Sequence, residues 1–423
     1  MASESDSSQL HILLVSPEYP PMPGGIGRYT YNLKKSLIRI GCKASVVCDE
    51  RGRGEYCGIS QHNPRTSEVL LELVEKIRPD LVHVQYEPGL YNLKLNMLNP
   101  AKISTNVDTF YKLCRVPIIT TFHSAYPFKQ WMSLPIPINE RQKDFYLMKK
   151  VKRTLSFWTR LINYHSFQSL NEQKLAQSAA GIAFSESTST IIGKKKECYV
   201  IFHGAERQDL GQSKSDLRKL FSIPDGRRVA LALGYATKTK GWDVIEKMKI
   251  PDPWIIVMNA SNNEYNHEVY HFKKNENVIS LGKDFLSEEQ LAALFSCADA
   301  VILPYKVSSG SGIMFDGLSY SLPFVATSLG FFDEFASLGL GVTVKRSAEA
   351  FSRALIFLDE HYDKYSMRVK PFNKELSWEE VANKHAKLYR ATVQKGRQKV
   401  PLHLNGKKLL VKSEQVHMKG EKP

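Results

Sequence analysis

The sequence predicts an α/β chain of two doubly wound, parallel-sheet units. Three observations carry that expectation. Short apolar runs alternate with amphipathic stretches from Leu10 to about residue 393, the pattern of strands buried on both faces by crossover helices. The rhythm lapses in a polar, charged stretch, Gln208–Asp225, and then restarts. Small-residue turns, Gly24–Gly27 and Ser308–Gly312, stand between a strand and a helix in each half. A length of 423 residues leaves room for two to three domains, on a prior of roughly 150 residues each. A hydrophobic content of 43% supports substantial cores.

Leu10–Ser16 is a continuous apolar run and reads as a buried strand. In the following PEYPPMPGGIGRYTYNL, the prolines hold an extended loop and Gly24-Gly25-Ile26-Gly27 opens a helix. Tyr29, Leu33, Leu37 and Ile40 form its apolar face, and Gly41 stops it. A glycine-rich turn between a first strand and a first helix is a phosphate-binding geometry, and equally an ordinary tight turn. Ala44–Cys48, Leu81–Gln85 and Pro117–Phe122 are further strands, with helical stretches such as Ser67–Ile77 and Ser104–Leu113 between them. Doubly wound sheets bind ligands at the carboxyl ends of their strands. The Gly24–Gly27 loop, Glu87 in HVQYEPG and His123 in TTFHS all fall there.

Phe128–Phe167 breaks the rhythm with Pro135 and Pro137, then a long basic helical pattern that interleaves Phe145, Tyr146, Phe157 and Trp158. That mixture suits a membrane interface, or a solvated helix packing its aromatics on the body. Gly181–Phe184 and Tyr199–Phe202 restore strands, with Ser185 as the N-cap of a helix between them. The interdomain linker is expected near residues 204–212.

The second unit begins with the strand Val229–Leu233 and GYATKTKGWDVIEKM, and continues with strands Trp254–Met258, Val278–Leu281 and Ala300–Leu303. Ser287 and Gln290 form a capping box at the start of the helix Ser287–Cys297. Next comes VILPYKVSSGSGIMFDGLSYSLPFVAT. It reads as strand Val301–Leu303, turn Ser308–Gly312, helix from about Ile313 to Ser321 and strand Phe324–Ala326. Backbone N–H groups, a helix N-terminus and one carboxylate, Asp316, suit a polyol phosphate, though the stretch also fits a plain βαβ unit. A helix near Ala348–Asp359 follows, and Ser377–Val393 opens with Ser377 as N-cap.

The net charge is +15, and it is concentrated. Phe128–Arg160 carries eight Lys/Arg against Glu140 and Asp144, and Val393–Pro423 carries eight against Glu414 and Glu421. Two basic segments on a near-neutral body suggest an anionic surface as partner. No nucleic-acid motif is present, so nucleic acid is not expected. The polar N-terminal MASESDSSQL has no apolar core, and no apolar run reaches about 18 residues; neither a secretory signal nor a membrane span is expected. Six cysteines without paired metal spacing read as reduced packing residues, and a cytoplasmic location is expected, with docking to the inner face of a membrane as a further expectation.

The Ser308–Pro323 stretch resembles the nucleotide-sugar motif of family 4 glycosyltransferases, retaining enzymes of the GT-B fold. Aligned on Pro323, Asp316 stands at the family's second glutamate and Ser308 at its first. The Gly24–Gly27 run resembles the family's N-terminal loop, where a Gly-Gly pair approaches the donor diphosphate. His123 matches the histidine that contacts the donor sugar, and Glu87 lies where acceptor-side residues are placed. Gly234, Lys240 and Gly241 match the Gly-Arg…Lys-Gly motif, with Tyr235 where arginine is usual and Lys238 as a substitute cation. His203, where asparagine is more common, reads as structural.

The resemblance implies two Rossmann-like domains facing across a cleft. They are expected at residues 1–205 (acceptor side) and 206–376 (donor side), with a helix at 377–395 crossing back and a basic tail at 396–423. It implies transfer of a sugar from a nucleoside diphosphate sugar, with retained configuration, to a lipid-linked or glycan hydroxyl. His123, Lys240 and Asp316 would carry catalysis. Gly24, Gly25, Gly27, Gly234, Lys238, Gly241, Ser308, Gly310, Ser311, Gly312 and Ile313 would bind the donor, and Glu87 would face the acceptor. No Asp-x-Asp pair occurs, so no metal or other cofactor is expected. The Ser308 and Tyr235 departures keep two alternatives open: a non-catalytic nucleotide-sugar binder, and a sugar-nucleotide epimerase on the same fold.

Overall fold

The structure, a computed structural model, describes residues 9–94, 103–134, 146–193, 198–262, 272 and 275–398, with the backbone alone for 146–156, 159 and 396–398. Pro135, Pro137, Phe145 and the basic tail beyond residue 398 therefore lie outside the described residues, as do the side chains of Lys149, Lys150, Lys152 and Arg153.

The N-terminal sheet has strands β1 (His11–Val15), β2 (Lys43–Cys48), β3 (Tyr56–Cys57), β4 (Leu81–Tyr86), β5 (Ile118–Phe122), β6 (Ala180–Ala183) and β7 (Cys198–Val200). The helices that alternate with them are α1 (Gly25–Arg39), α2 (Thr66–Ile77), α3 (Asp108–Leu113), α4 (Phe128–Ser133), α5 (Tyr146–Gln177) and α6 (Glu186–Ile192). The strand order is β3-β2-β1-β4-β5-β6-β7, and every pairing is parallel.

The second sheet has β8 (Arg228–Tyr235), β9 (Trp254–Ser261), β10 (Val278–Ser280), β11 (Ala300–Leu303), β12 (Phe324–Thr327) and β13 (Gly341–Val344). Its order is β10-β9-β8-β11-β12-β13, again all parallel. Around it lie α7 (Lys214–Leu220), α8 (Trp242–Lys247), α9 (Glu288–Cys297), α10 (Gly312–Ser319), α11 (Gly330–Ser337), α12 (Ala348–Glu360), α13 (Tyr362–Val369) and α14 (Asn373–Leu376). The last helix, α15 (Trp378–Gln398), packs on α1 of the first sheet.

The apolar runs become strands because both faces are covered: β4 and β9 are buried along their whole lengths. Tyr29, Leu33 and Leu37 of α1 are fully buried, as their spacing requires. The caps at Ser185, Ser287 and Ser377 form as read, and Ser287–Gln290 is a complete capping box. Three readings change. The α3 helix is shorter than Ser104–Leu113, because Ser104 instead pairs antiparallel with Lys94. Strands β3 and β13 lack the long apolar run that marks a central strand; each lies at a sheet edge, where one partner suffices. The long basic pattern after Phe128 divides into α4 and the α5 helix.

Candidate active site

In each sheet the strand order reverses once, between β1 and β4 and between β8 and β11. Loops leaving neighbouring strands on either side of a reversal diverge, and the crevice between them is where such sheets bind ligands. The loops after β1 and β4 carry Gly24–Gly27 and Glu87, and the neighbouring β5 carries His123. The loops after β8 and β11 carry Lys240 and Ser308–Gly312. The two sheets present these ends to each other.

The juxtaposition is direct. Ser309 Oγ donates to the carbonyl of His123 at 2.9 Å, and Thr188 Oγ1 donates to the carbonyl of Ser309 at 3.0 Å. The Ser308 N–H donates to Gln130 Oε1 at 2.8 Å. The α11 carboxylate of Glu334 accepts from the N–H groups of Glu186 and Ser187 at the start of α6. Gly312 lies against the His203 ring, which stacks on Phe315. Within the loop, Ser311 Oγ caps α10 by accepting from the Met314 N–H. The Gly312 and Ile313 N–H groups head that helix. Ser308, at the position of the missing glutamate, is buried and turns its hydroxyl onto the Gly310 carbonyl at 3.1 Å.

Asp316 sits one turn inside α10 and is 4% exposed. Its Oδ2 accepts from Arg28 Nη1 at 2.6 Å, across the cleft. The same guanidinium donates from Nε and Nη2 to the two oxygens of Glu288 at 2.8 and 2.9 Å. Asp316, adjacent first, and Glu288 hold the Arg28 pKa above its ordinary value.

On the N-terminal side, Gly24, Gly25 and Gly27 make the expected turn into α1, but two of the amides at its head are already engaged. Glu18 Oε2 accepts from the N–H groups of Ile26 and Gly27 at 2.9 and 3.0 Å. A Cβ on Gly24 would fall 1.7 Å from the Glu18 carboxyl carbon, so glycine is required for that approach. Burial pushes the Glu18 pKa up to about 7 against the pull of the two amides. The donor-facing amides that the glycine run promised thus carry the chain's own carboxylate.

His123 joins a buried polar chain. Its Nε2 lies 2.9 Å from Gln85 Oε1, Gln85 Nε2 lies 3.3 Å from His83 Nε2, and His83 Nδ1 lies 2.7 Å from the Tyr389 hydroxyl on α15. An amide that donates to His83 must accept from His123, which places the His123 proton on Nε2. Burial, with His203 nearby, lowers the His123 pKa to about 3, so the ring is neutral. Glu87 caps the turn at Pro88–Tyr91 and accepts from Ser124 Oγ, and burial raises its pKa. It is therefore a half-buried acid whose oxygens are already engaged beside the strand ends.

Lys240 follows β8. Its Nζ lies 4.0 Å over the Tyr305 ring, and it makes no ion pair among the described residues. The Gly234 backbone lies alongside its stem. Gly241 caps α8 at φ 82°, where a Cβ would fall 1.9 Å from the Pro304 carbonyl oxygen. This close contact ties the Lys240 loop to the strand that leads into Ser308–Gly312. Lys238 is exposed, and Tyr235 packs against Phe285 rather than supplying charge. Sequence reasoning missed Glu18, Arg28, Gln130, Glu288 and Ser309; for Glu18 and Arg28 their place flanking the glycine run was the available signal.

Two parallel Rossmann-like sheets with facing carboxyl ends, a crossing helix and a site drawn from both define the GT-B class. Residues 23–170 match Glycosyltransferase Family 4. The sucrose-phosphate synthase of Thermosynechococcus elongatus superposes with a TM-score of 0.62 at 14% identity, covering 90% of this chain and 99% of that one. Anabaena Alr3699/HepE in complex with UDP and glucose gives 0.59 at 12%, covering 90% and 100%. WaaG, a glycosyltransferase involved in lipopolysaccharide biosynthesis, gives 0.56 at 11%, covering 89% and 99%. At such identities the likeness speaks for the fold. No curated protein matches the sequence significantly. Residues 23–170 thus resemble a Glycosyltransferase Family 4 domain, and the chain has the GT-B fold.

Proposed function

We propose that the protein transfers a sugar, with retained anomeric configuration, from a nucleoside diphosphate sugar held in the cleft to a hydroxyl acceptor. The observation that carries this reading is the meeting of the Ser308–Asp316 segment with the N-terminal strand ends through Ser309–His123, Thr188–Ser309 and Arg28–Asp316. The loops read as the two halves of a donor site are in contact. Asp316 would hold the ribose. Lys240 and the Gly312 and Ile313 N–H groups would stabilise the diphosphate as it leaves, the step that most needs preorganised charge. With no Asp-x-Asp pair, this neutralisation is assigned to the chain's own groups rather than to a metal. His123, neutral and fixed by Gln85, would hydrogen-bond the sugar without contributing charge to the site. Anabaena HepE holds UDP and glucose, which makes UDP-glucose the first donor to try. Incubation with radiolabelled UDP-glucose, ADP-glucose and GDP-mannose and mixed glycan and lipid-linked acceptors tests the reading. Label in a new product supports it; saturable binding without turnover favours a binder, and donor isomerisation an epimerase.

For the acceptor, the reading is a lipid-linked or membrane-presented hydroxyl at an anionic cytoplasmic surface. No helix among the described residues is long and apolar enough to cross a membrane. Phe157 and Trp158 on α5 are each about half exposed, as are Phe128 on α4 and Ile162. Exposed aromatics within a segment of net +6 favour interfacial docking over a helix that merely packs its rings on the body.

A further inference from the structure

Arg28 follows Gly27 on α1 and is the point where the N-terminal domain places a cation against the donor half. Its guanidinium forks onto Glu288, at the start of α9, and reaches past it to Asp316 on α10. The two carboxylates differ. Asp316 is buried, whereas the Glu288 side chain is 58% exposed, and exposed ion pairs contribute little. Only Oδ2 of Asp316 has a partner among the described residues, leaving Oδ1 for a ligand. Around Lys240 the other groups are committed or turned to solvent: Tyr235 packs on Phe285, Arg346 is held by Asp243 and the Pro304 carbonyl, and Lys238 and Lys306 are exposed.

We propose that Arg28 is the second cation for the donor diphosphate, delivered across the cleft by the N-terminal domain. The inference rests on the reading of the cleft as a nucleoside diphosphate sugar site. Arg28 holds Asp316 and Glu288. When ribose hydroxyls engage Asp316, the guanidinium loses part of its counter-charge, and a diphosphate at the head of α10 offers more. Asp316 lies four residues from Gly312, about 6 Å along the helix, so a long arginine side chain spans the change without moving α1. The planar fork of arginine matches phosphate oxygens in pairs. Because Lys240 and Arg28 belong to opposite domains, the leaving group is fully neutralised only with the cleft closed.

The test compares diphosphates with nucleosides. UDP, ADP and GDP are titrated into wild type by calorimetry, and the matching nucleoside is followed by saturation-transfer NMR. The diphosphate that binds is then carried to Arg28→Ala, Arg28→Lys and Glu288→Gln. Arg28→Ala is expected to lose about tenfold to a hundredfold in diphosphate affinity, while nucleoside affinity holds or rises because Asp316 is released. Arg28→Lys should fall between. Glu288→Gln keeps the cation and removes its competitor, so diphosphate affinity should hold or rise. Equal changes for diphosphate and nucleoside in Arg28→Ala, or a loss in Glu288→Gln as large as that in Arg28→Ala, would reduce Arg28 to a domain tie and overturn the proposal. If none of the three diphosphates binds wild type, the donor reading itself fails, and the proposal falls with it.

Discussion

Replacing Lys240 with alanine separates a catalytic cation from a solvated lysine. In the free protein the ammonium sits 4.0 Å over the Tyr305 ring with no carboxylate partner among the described residues. A cation–π contact contributes about 0.5–2 kcal/mol, so the fold should lose on the order of 1 kcal/mol. In a protein of this size that lowers the melting temperature by only about 1 °C. The transition state should lose more. Removing one preorganised donor from a developing negative charge costs on the order of 3 kcal/mol, about a hundredfold in rate. A group that acts on charge growing in the leaving diphosphate should lower kcat, whereas a uniform binding contact would raise KM alone. The assay is initial-rate transfer from labelled donor, with thermal melting as the folding control. Exposed Lys306, whose N–H bonds Thr239 beside the same loop, serves as the matched lysine, and Lys306→Ala should stay within about twofold. A Lys240→Ala enzyme within about threefold of wild type would remove Lys240 from the site.

Three further outcomes follow from the same geometry. Asp316→Asn should weaken donor binding by roughly tenfold or more, since a neutral amide accepts less strongly from hydroxyls; Asp316→Glu should be tolerated better, and equal calorimetric affinities for wild type and Asp316→Asn would refute the ribose assignment. Glu18, with its pKa pushed up to about 7 from an ordinary 4.5, favours the folded state below about pH 4.5 and loses that contribution as pH rises through 7; wild-type melting temperature should fall by a few degrees across that window, and a Glu18→Gln variant with the same slope would show that another group titrates. Docking should appear as flotation with anionic vesicles that weakens with salt and again when Lys149, Lys150, Lys152 and Arg153 become glutamine; protein that stays at the bottom of a low-salt gradient would favour a soluble acceptor.

Much of the fold was legible because it is written locally. A strand buried on both faces must be apolar along its length, and an N-cap must bring a side-chain oxygen to an amide three residues on. Leu81–Tyr86, Trp254–Ser261 and the Ser287–Gln290 box are visible for that reason. Edge strands Tyr56–Cys57 and Gly341–Val344 escape, because half-satisfied strands need no apolar run. Candidate positions were legible where a residue follows a strand: His123, Lys240 and Asp316 each do so, and the fold joins Ser309 to His123 and Arg28 to Asp316.

What the sequence hides is the partner of each group. Arg28 and Asp316 are 288 residues apart, Ser309 and His123 are 186 apart, and no periodicity links them. Glu18 shows the same limit at short range. The run PEYPPMPGGIG announces amides poised for an anion, and the nearest anion is eight residues upstream in the same loop. A glycine at position 24 has two explanations in sequence, approach of a ligand or approach of the chain, and the contact with Glu18 supplies the second. The choice has a consequence for the donor. A phosphate that enters this end of the cleft meets a carboxylate at the head of α1 and a guanidinium one residue past it on the same helix. The carboxylate disfavours a phosphate at the glycine turn, and under the Arg28 proposal the anion goes instead to the guanidinium and the head of α10 once ribose hydroxyls engage Asp316. On that proposal the glycine run shapes the cleft by admitting Glu18, and the charge offered to the diphosphate lies one residue beyond it.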